Sequence, residues 1–411
     1  MNAHLPIHPP RLRDTLYHDL DEAPETMAIR HEVRAFADTH IEPIAHELGH
    51  REESIANFPR DAIQAMAEQS LFGIPFAAGD GGRGLDLPAT AAAVMIEELA
   101  YHSSSVAAIV DVNCILAGNA LRHATPMIRQ THLLPLLNGK KIGAFATSEP
   151  ESSTDLSVRA LRTHARETAD GFVVNGQKRF ITNAPVADFV ATLCVEGSRM
   201  TMLVIDLDAP GVRVGEPDRK LGNHGQLTAD IHFDEVKVPR SHIIGEPGEG
   251  LKVALETLTY GRIGIAASGV GMAQALLDQC AYRLKVRDIF GKPLATSQYW
   301  QFRLAERATE IECARNLYLK AARRLDQGIA FPEPEAAMAK WYATNLAAGF
   351  AREAVQIFGG YGFMRELAAD GSRYRVEEIY RDCKIAEIYE GANEIQKMII
   401  ARTIFGKALA G

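Results

Sequence analysis

The apolar positions change period twice along the chain. Across residues 25–139 they recur at helical spacing: 27–45 carries one such face, Pro59 opens a helix through Ala67, and 88–100 predicts an Ala-rich helix. The run from Ser104 to Leu121 is apolar on most sides, interrupted by Asp111 and Asn113, and so belongs inside a domain. Near Lys141 the period shortens. Residues 143–147, 171–174, 180–182, 189–195, 202–207, 212–214 and 229–233 read as short strands separated by turn residues, Asn175-Gly176 among them. From Leu251 the helical period returns in four long segments, 251–289, 297–325, 333–356 and 375–388, with a last helix from Asn393. Long amphipathic helices with short connections predict an antiparallel bundle. The chain thus divides into an arm (1–24), an α-helical domain (25–142), a β domain (143–245) and a helical bundle (246–411), a mainly α protein with a β domain.

Composition narrows the function. Of 411 residues, 47% are apolar and 23% charged, as in a soluble globular protein, and the net charge of -8 argues against nucleic-acid binding. No apolar run reaches the roughly 20 residues that cross a bilayer, and the Pro- and His-containing N-terminus lacks a signal-peptide core. No membrane partner is expected. The five cysteines stand apart without a C-x-x-C pair, and the fourteen histidines form no H-E-x-x-H, so reduced thiols in a cytoplasmic, metal-free protein are expected. Gly79-Asp80-Gly81-Gly82-Arg83-Gly84 lacks the Lys-Ser/Thr of a phosphate loop and reads as a helix connection.

One short stretch draws the chemistry to the C-terminus. Ile388-Tyr389-Glu390-Gly391-Ala392-Asn393-Glu394-Ile395 joins two apolar helical faces, with Gly391 as the stop and Asn393 as the N-cap of the last helix. A carboxylate at such a break is either an exposed turn residue or is held in an apolar place, where burial makes it a stronger base. Asp111 poses a similar choice, between a satisfied buried group and a pocket residue meeting the far end of a ligand.

Five fragments in order resemble the acyl-CoA dehydrogenase family. They are Ala146-Thr147-Ser148-Glu149-Pro150 with Asp155; Phe180-Ile181-Thr182-Asn183; and Arg287-Asp288-Ile289-Phe290-Gly291-Lys292-Pro293-Leu294 with Gln298 and Phe302. Gln356-Ile357-Phe358-Gly359-Gly360-Tyr361-Gly362, and Tyr380-Arg381-Asp382 through Ile388-Tyr389-Glu390-Gly391, complete the set. The resemblance implies N-terminal helices, a middle β-barrel-like domain and a C-terminal four-helix bundle, with FAD between the β domain and the bundle of a homotetramer or a dimer of the same packing. It assigns the cofactor to Phe145, Thr147, Ser148, Phe180, Ile181 and Thr182. It also assigns Arg287, Phe290, Leu294, Gln298, Gln356, Gly359 and Gly360, several of which reach a neighbouring subunit's cofactor in the family. Ser148 and Thr182 offer hydroxyls, Phe180 a ring to cover the flavin, and Arg287 a guanidinium for the pyrophosphate.

The implied reaction is α,β-dehydrogenation of an acyl-CoA to the trans-2-enoyl thioester, in fatty-acid or amino-acid catabolism. Glu390 takes the α-proton, the flavin takes the β-hydride, and an electron-transfer flavoprotein accepts the electrons. Some branches of the family carry the base on a bundle helix. Here Gly261, in Leu258-Thr259-Tyr260-Gly261-Arg262, stands at that place and cannot serve. Thr154, Thr259, Arg262, Tyr389, Gly391 and Asp111 are the candidate substrate residues, Arg262 being equally readable as a helix ion pair. Ser153-Thr154 replace Gly-Ser, Thr259 a common Asp, Ala392 a frequent Thr, and Gln226-Leu227 a Ser pair. These departures leave room for an acyl-carrier-protein thioester. An oxygen-using flavin oxidase or monooxygenase, and a non-catalytic nucleic-acid-associated member, are further alternatives.

Overall fold

The computed structural model describes residues 9–18, 22–406 and 408–409, so the arm expected over 1–24 lies partly outside the described residues. A short helix, α1 (Arg13–Leu16), precedes the N-terminal helices α2 (Pro24–Phe36), α3 (Glu42–Leu48), α4 (Arg60–Glu68) and α5 (Pro88–His102). Pro24 and Pro88 open their helices, where the missing N–H costs nothing. The apolar run expected as one helix is α6 (Ser104–Val110), a widened π segment over Asp111–Gly118, and α7 (Asn119–Leu121). Ser103 caps it through the Val106 N–H, and every residue from Ser104 to Leu121 is buried. That run has the length and apolarity to cross a membrane, but here it is a core element. Two small helices, α8 (Pro126–Ile128) and α9 (Leu134–Leu137), lead into the sheet.

The sheet comprises β1 (Gly143–Ala146), β2 (His164–Glu167), β3 (Gly171–Thr182), β4 (Phe189–Glu196), β5 (Arg199–Asp206), β6 (Val212–Val214), β7 (Thr228–Pro239) and β8 (Ile243–Ile244). Its order is β6-β7-β3-β2-β4-β5-β8, with β1 parallel to β4. Asn175-Gly176, expected as a turn, lies inside β3 as a bulge. Both sides of the pair keep the same partner strand, since Val174 pairs with Val236 and Gly176 with Phe233. The Asn175 amide bonds the backbone N–H and carboxylate of Glu235, and Gly176, at φ 146°, leaves no room for a Cβ beside Thr163. The 171–174 and 180–182 segments are therefore one strand. The strand β2 escaped the sequence pattern because only Ala165 of its four residues is buried.

The bundle is α10 (Gly250–Val286), α11 (Gln298–Asp326), α12 (Glu335–Phe358), α13 (Gly360–Phe363), α14 (Val376–Ala386) and α15 (Asn393–Phe405). The helix α10 ends three residues earlier than expected, because Arg287 turns extended and the chain forms a small hairpin, β9 (Asp288–Ile289) and β10 (Lys292–Pro293). It packs on α5, α11 and α12 and also on β5, so one rod touches all three layers. One core runs through both helical layers, including Val33, Leu99, Ile263 and Phe350. A smaller one, including Val174, Cys194 and Ile231, fills the sheet.

An ionic layer locks the N-terminal helices to the bundle. Arg30 pairs with Glu22, Glu97 and Glu98, while Arg315 reaches Glu97 at 3.0 Å and the Tyr318 hydroxyl donates to the same carboxylate. Burial alone would raise Glu97, but the guanidinium groups of Arg30 and Arg315 hold it well below the usual carboxylate range. Such a network fixes register, because removing one partner strands a buried charge.

Candidate active site

The α14–α15 connection is not the simple break expected. Asn393 is the first residue of α15, not its cap. Its side chain is taken by the bundle instead: Oδ1 accepts from Lys340 Nζ at 3.0 Å, and Nδ2 donates to Thr344 Oγ1 at 3.1 Å. The Gly391 carbonyl accepts from Lys340 Nζ at 3.0 Å and from Gln396 Nε2 at 2.8 Å. These bonds fix a turn in which Glu390 has φ 52° and Gly391 φ 89°.

Glu390 is not an exposed turn residue. It lines a cleft of ≈ 440 Å³, and its Oε2 is enclosed without a hydrogen-bond donor among the described residues. The space for that oxygen is made by α10, since a Cβ on Gly261 would lie 1.9 Å from Oε2. One turn along, a Cβ on Gly264 would lie 2.0 Å from Asp111 Oδ1. Burial pushes the Glu390 carboxyl up, while the neighbouring Asp111 carboxyl, as a potential proton donor, and the charges of Lys340 and Arg262 pull it down. Burial likewise draws the Lys340 ammonium down to about 8, opposed by the Glu390 charge.

The rest of the cleft gathers one group of expected residues. Phe145, Thr147 and Ser148 come from β1 and the turn after it, Phe180, Ile181 and Thr182 from the end of β3, and Thr154 from the loop between. Tyr389 and Gly391 flank Glu390 in the wall. Phe180 sits at φ 60° with 61% of its surface exposed and the Arg179 guanidinium 4.8 Å from its ring centre. Thr182 Oγ1 accepts from Gln226 Nε2 at 3.1 Å, and the same amide also reaches Thr228 Oγ1, so Gln226 secures the strand end. An open aromatic face and hydroxyls beside a cleft between sheet and bundle fit a planar heteroaromatic cofactor.

A second group lies elsewhere and holds together by itself. Leu294 N donates to the Arg287 carbonyl at 2.7 Å and closes the β9–β10 hairpin, at whose tip Phe290 is fully exposed. Arg287 Nη1 is 3.4 Å from the Phe358 carbonyl, against Gly359, while Gln298, Gln356 and Gly360 are exposed nearby in sequence. None of these seven residues lines the cleft that holds Glu390.

Three expected substrate residues are not in the cleft. Arg262 turns to Glu333 in a 2.8 Å ion pair, the alternative left open by the sequence. Thr259 Oγ1 donates to the Leu255 carbonyl one turn back in its own helix, the local acceptor a helical threonine reaches; Leu258 lines the cleft instead. Asp111 is buried next to Glu390, while Val112 and Leu116 of the same segment line the cleft. Lys340 and Gly264 were missed by the sequence reading. A pair of glycines at i and i+3 in an apolar helix was the available signal for the carboxylate cradle.

An α-helical layer, a sheet and a helical bundle meet at a cleft walled by Glu390, Phe180 and the hydroxyls of Thr147, Ser148 and Thr182. Models of the N-terminal, middle and C-terminal domains of acyl-CoA dehydrogenase match residues 23–140, 144–236 and 248–405. The chain is 37% identical to a 3-(aryl)acrylate reductase of Clostridium sporogenes, covering 92% of this chain and 97% of that protein. It is 36% identical to an acyl-CoA dehydrogenase of Bacillus subtilis, covering 93% and 98%. The structure of butyryl-CoA dehydrogenase from Megasphaera elsdenii superposes with a TM-score of 0.86 at 33% identity, covering 94% of this chain and all of that one. The chain belongs to the acyl-CoA dehydrogenase family. It is an FAD-dependent oxidoreductase with that family's three-domain fold.

Proposed function

We propose that the protein removes hydrogen from the α and β carbons of a short or compact acyl-CoA thioester, with Glu390 as the base. The observation that carries this reading is the enclosed, donor-free Oε2 of Glu390 in the wall of the Phe145–Thr182 cleft. A carboxylate pushed up by burial is matched to abstracting a weakly acidic proton near neutral pH. The Glu390 N–H has no acceptor among the described residues and is available to the thioester carbonyl, where enolate charge develops. Ser148, Thr182 and Phe180 would hold the flavin, with Arg287, Phe290, Leu294, Gln298 and the 356–360 loop serving the cofactor of a neighbouring copy in a homo-oligomer. FAD, when bound, supplies the hydride acceptor. Val112, Leu116 and Leu258 give the cleft apolar surface suited to a hydrocarbon acyl group, and its volume of ≈ 440 Å³ suits a compact one. The electrons pass to an electron-transfer flavoprotein, and the buried, unpaired Cys114, Cys194, Cys280 and Cys383 suit a reducing cytoplasm.

Anaerobic titration with short, branched, aryl-substituted and medium-chain acyl-CoAs, following the visible flavin band, tests this. Bleaching by the shorter or compact thioesters, abolished in Glu390→Gln, is the expected result. Flavin that stays oxidised with every CoA ester but bleaches with a carrier-protein thioester would reject the CoA assignment.

A further inference from the structure

The cradle behind the cleft holds two carboxyl groups. Gly261 and Gly264, one turn apart on α10, each lack a Cβ where one would collide: Gly261 with Glu390 Oε2 and Gly264 with Asp111 Oδ1. Neither Asp111 oxygen, nor Glu390 Oε2, meets an N–H or O–H donor among the described residues. Asp111 opens the π segment, the kind of local widening that re-aims a side chain at a functional site.

The buried Asp111 carboxyl and the enclosed Oε2 of the neighbouring Glu390 lack donors, which disfavours two anions there, and a single shared proton removes the conflict. The surroundings decide who holds it. Lys340 of α12 and Arg262 of α10 act on Glu390 and favour its anion. Among the described residues, the titratable groups that act on Asp111 besides Glu390 are Tyr260 of α10, Cys114 of the π segment and Tyr389 of the turn, none of them cationic. We propose that Asp111 is a positioning residue: protonated, it donates a hydrogen bond to Glu390, keeping that carboxylate ionised and seated at the cleft.

This rests on Glu390 being the base. As the α-proton passes to Glu390, the C–H electron pair stays with the thioester and Asp111 retains its own proton. The role is distinct from the far-end substrate contact considered for Asp111, because the residue touches the base and not the cleft.

Infrared spectra of the flavin-loaded enzyme near neutral pH should contain a buried carboxylic-acid C=O band that shifts on 13C-aspartate labelling, moves when an acyl-CoA analogue fills the cleft, and is lost in Asp111→Asn. The pH profile of flavin reduction gives a second reading. Asp111→Asn still offers an N–H, so its acidic limb should stay near that of wild type. Asp111→Ala removes the donor, so its rate should fall about tenfold or more around pH 6 and recover in alkali. The proposal is overturned if no aspartic-acid band responds to the analogue. It is also overturned if Asp111→Ala is slowed by the same factor at every pH, as a purely structural role requires. Either failure is separable from failure of the proposed reaction, which wild type and Glu390→Gln decide without any change at Asp111.

Discussion

Gly261 and Glu390 divide one volume between them: a methyl group on Gly261 would stand 1.9 Å from Glu390 Oε2 and 2.7 Å from Leu116 Cδ2. Alanine inside a helix is favoured over glycine by about 1 kcal/mol, but the overpacking against Leu116 costs about 1–3 kcal/mol, so Gly261→Ala should stay folded with a net loss of at most about 2 kcal/mol in denaturant melts. It should nevertheless reduce flavin at least ~100-fold more slowly, since the base is pushed off its seat. A fast Gly261→Ala enzyme would remove Glu390 from that seat. The paired change Gly261→Glu with Glu390→Gly should recover part of the lost rate, measured by single-turnover flavin reduction, because the carboxylate re-enters the same space from the helix side.

Lys340 ties the turn down through the Gly391 carbonyl and the Asn393 side chain, and its charge lowers the Glu390 carboxyl. Lys340→Met should therefore act twice. The buried acceptors left behind should cost on the order of 1–3 kcal/mol in denaturant melts. Without the cation the Glu390 carboxyl titrates higher, so the acidic limb of the pH–rate profile should move towards alkali. A limb that stays in place while stability falls would make Lys340 a brace only.

Arg287, Phe290 and the 356–360 loop do not line the cleft that holds Glu390. If they complete a neighbouring copy's cofactor site, Arg287→Ala and Glu390→Gln are defects in different halves of one site. Each variant alone should be inactive or nearly so, and co-expression should restore activity through mixed oligomers. Two inactive variants that stay inactive together, in a mixture shown to co-assemble, would place both residues in one copy's site.

Acid should loosen the contact between α3 and α14. Burial alone would raise Glu377, but the hydrogen bond from His50 and the pairing with Arg381 outweigh it, and the carboxyl falls from 4.5 to about 2. A carboxyl lowered by folding stabilises the protein above its unfolded value, and that contribution is lost as pH falls from about 4.5 towards 2. Glu377→Gln should thus cost on the order of 2 kcal/mol at pH 7 and flatten the loss of stability between pH 5 and 3, read from urea melts. Equal slopes for the two proteins would show that other carboxylates carry the acid response.

The long helices were legible because α11, α12 and α14 present apolar residues at helical spacing and α10 is buried all round from Thr259 to Cys280, and their ends differ from the expected ones by a few residues. The strand pattern was less clear where pairing, not burial, makes the strand. Mostly exposed β2 gave no alternation, and Asn175-Gly176 carries the chemistry of a hairpin turn yet serves as a bulge held by Glu235. In the site, Glu390 could be found from its motif, but its surroundings could not. The glycine notches in α10, the lysine beneath the turn and the burial of Asp111 are relations between segments far apart in sequence. Thr259 lies off the cleft and Arg262 takes the ion-pair alternative for the same reason: helical position gives a face, not the partner waiting there.

Phe180, Phe290 and Glu390 all sit at positive φ, 60°, 51° and 52°, where a side chain costs roughly 1–2 kcal/mol. Glycine or asparagine would relax the backbone at each position. A library of this protein sorted for heat resistance alone should therefore drift at these three residues as readily as at Ser70 and Glu235, which share the strain, gaining robustness as it discards the aromatic ring, the exposed hairpin tip and the carboxylate. If the proposed site is right, a thermostabilising campaign has to hold these three fixed and take its gains at Ser70 and Glu235.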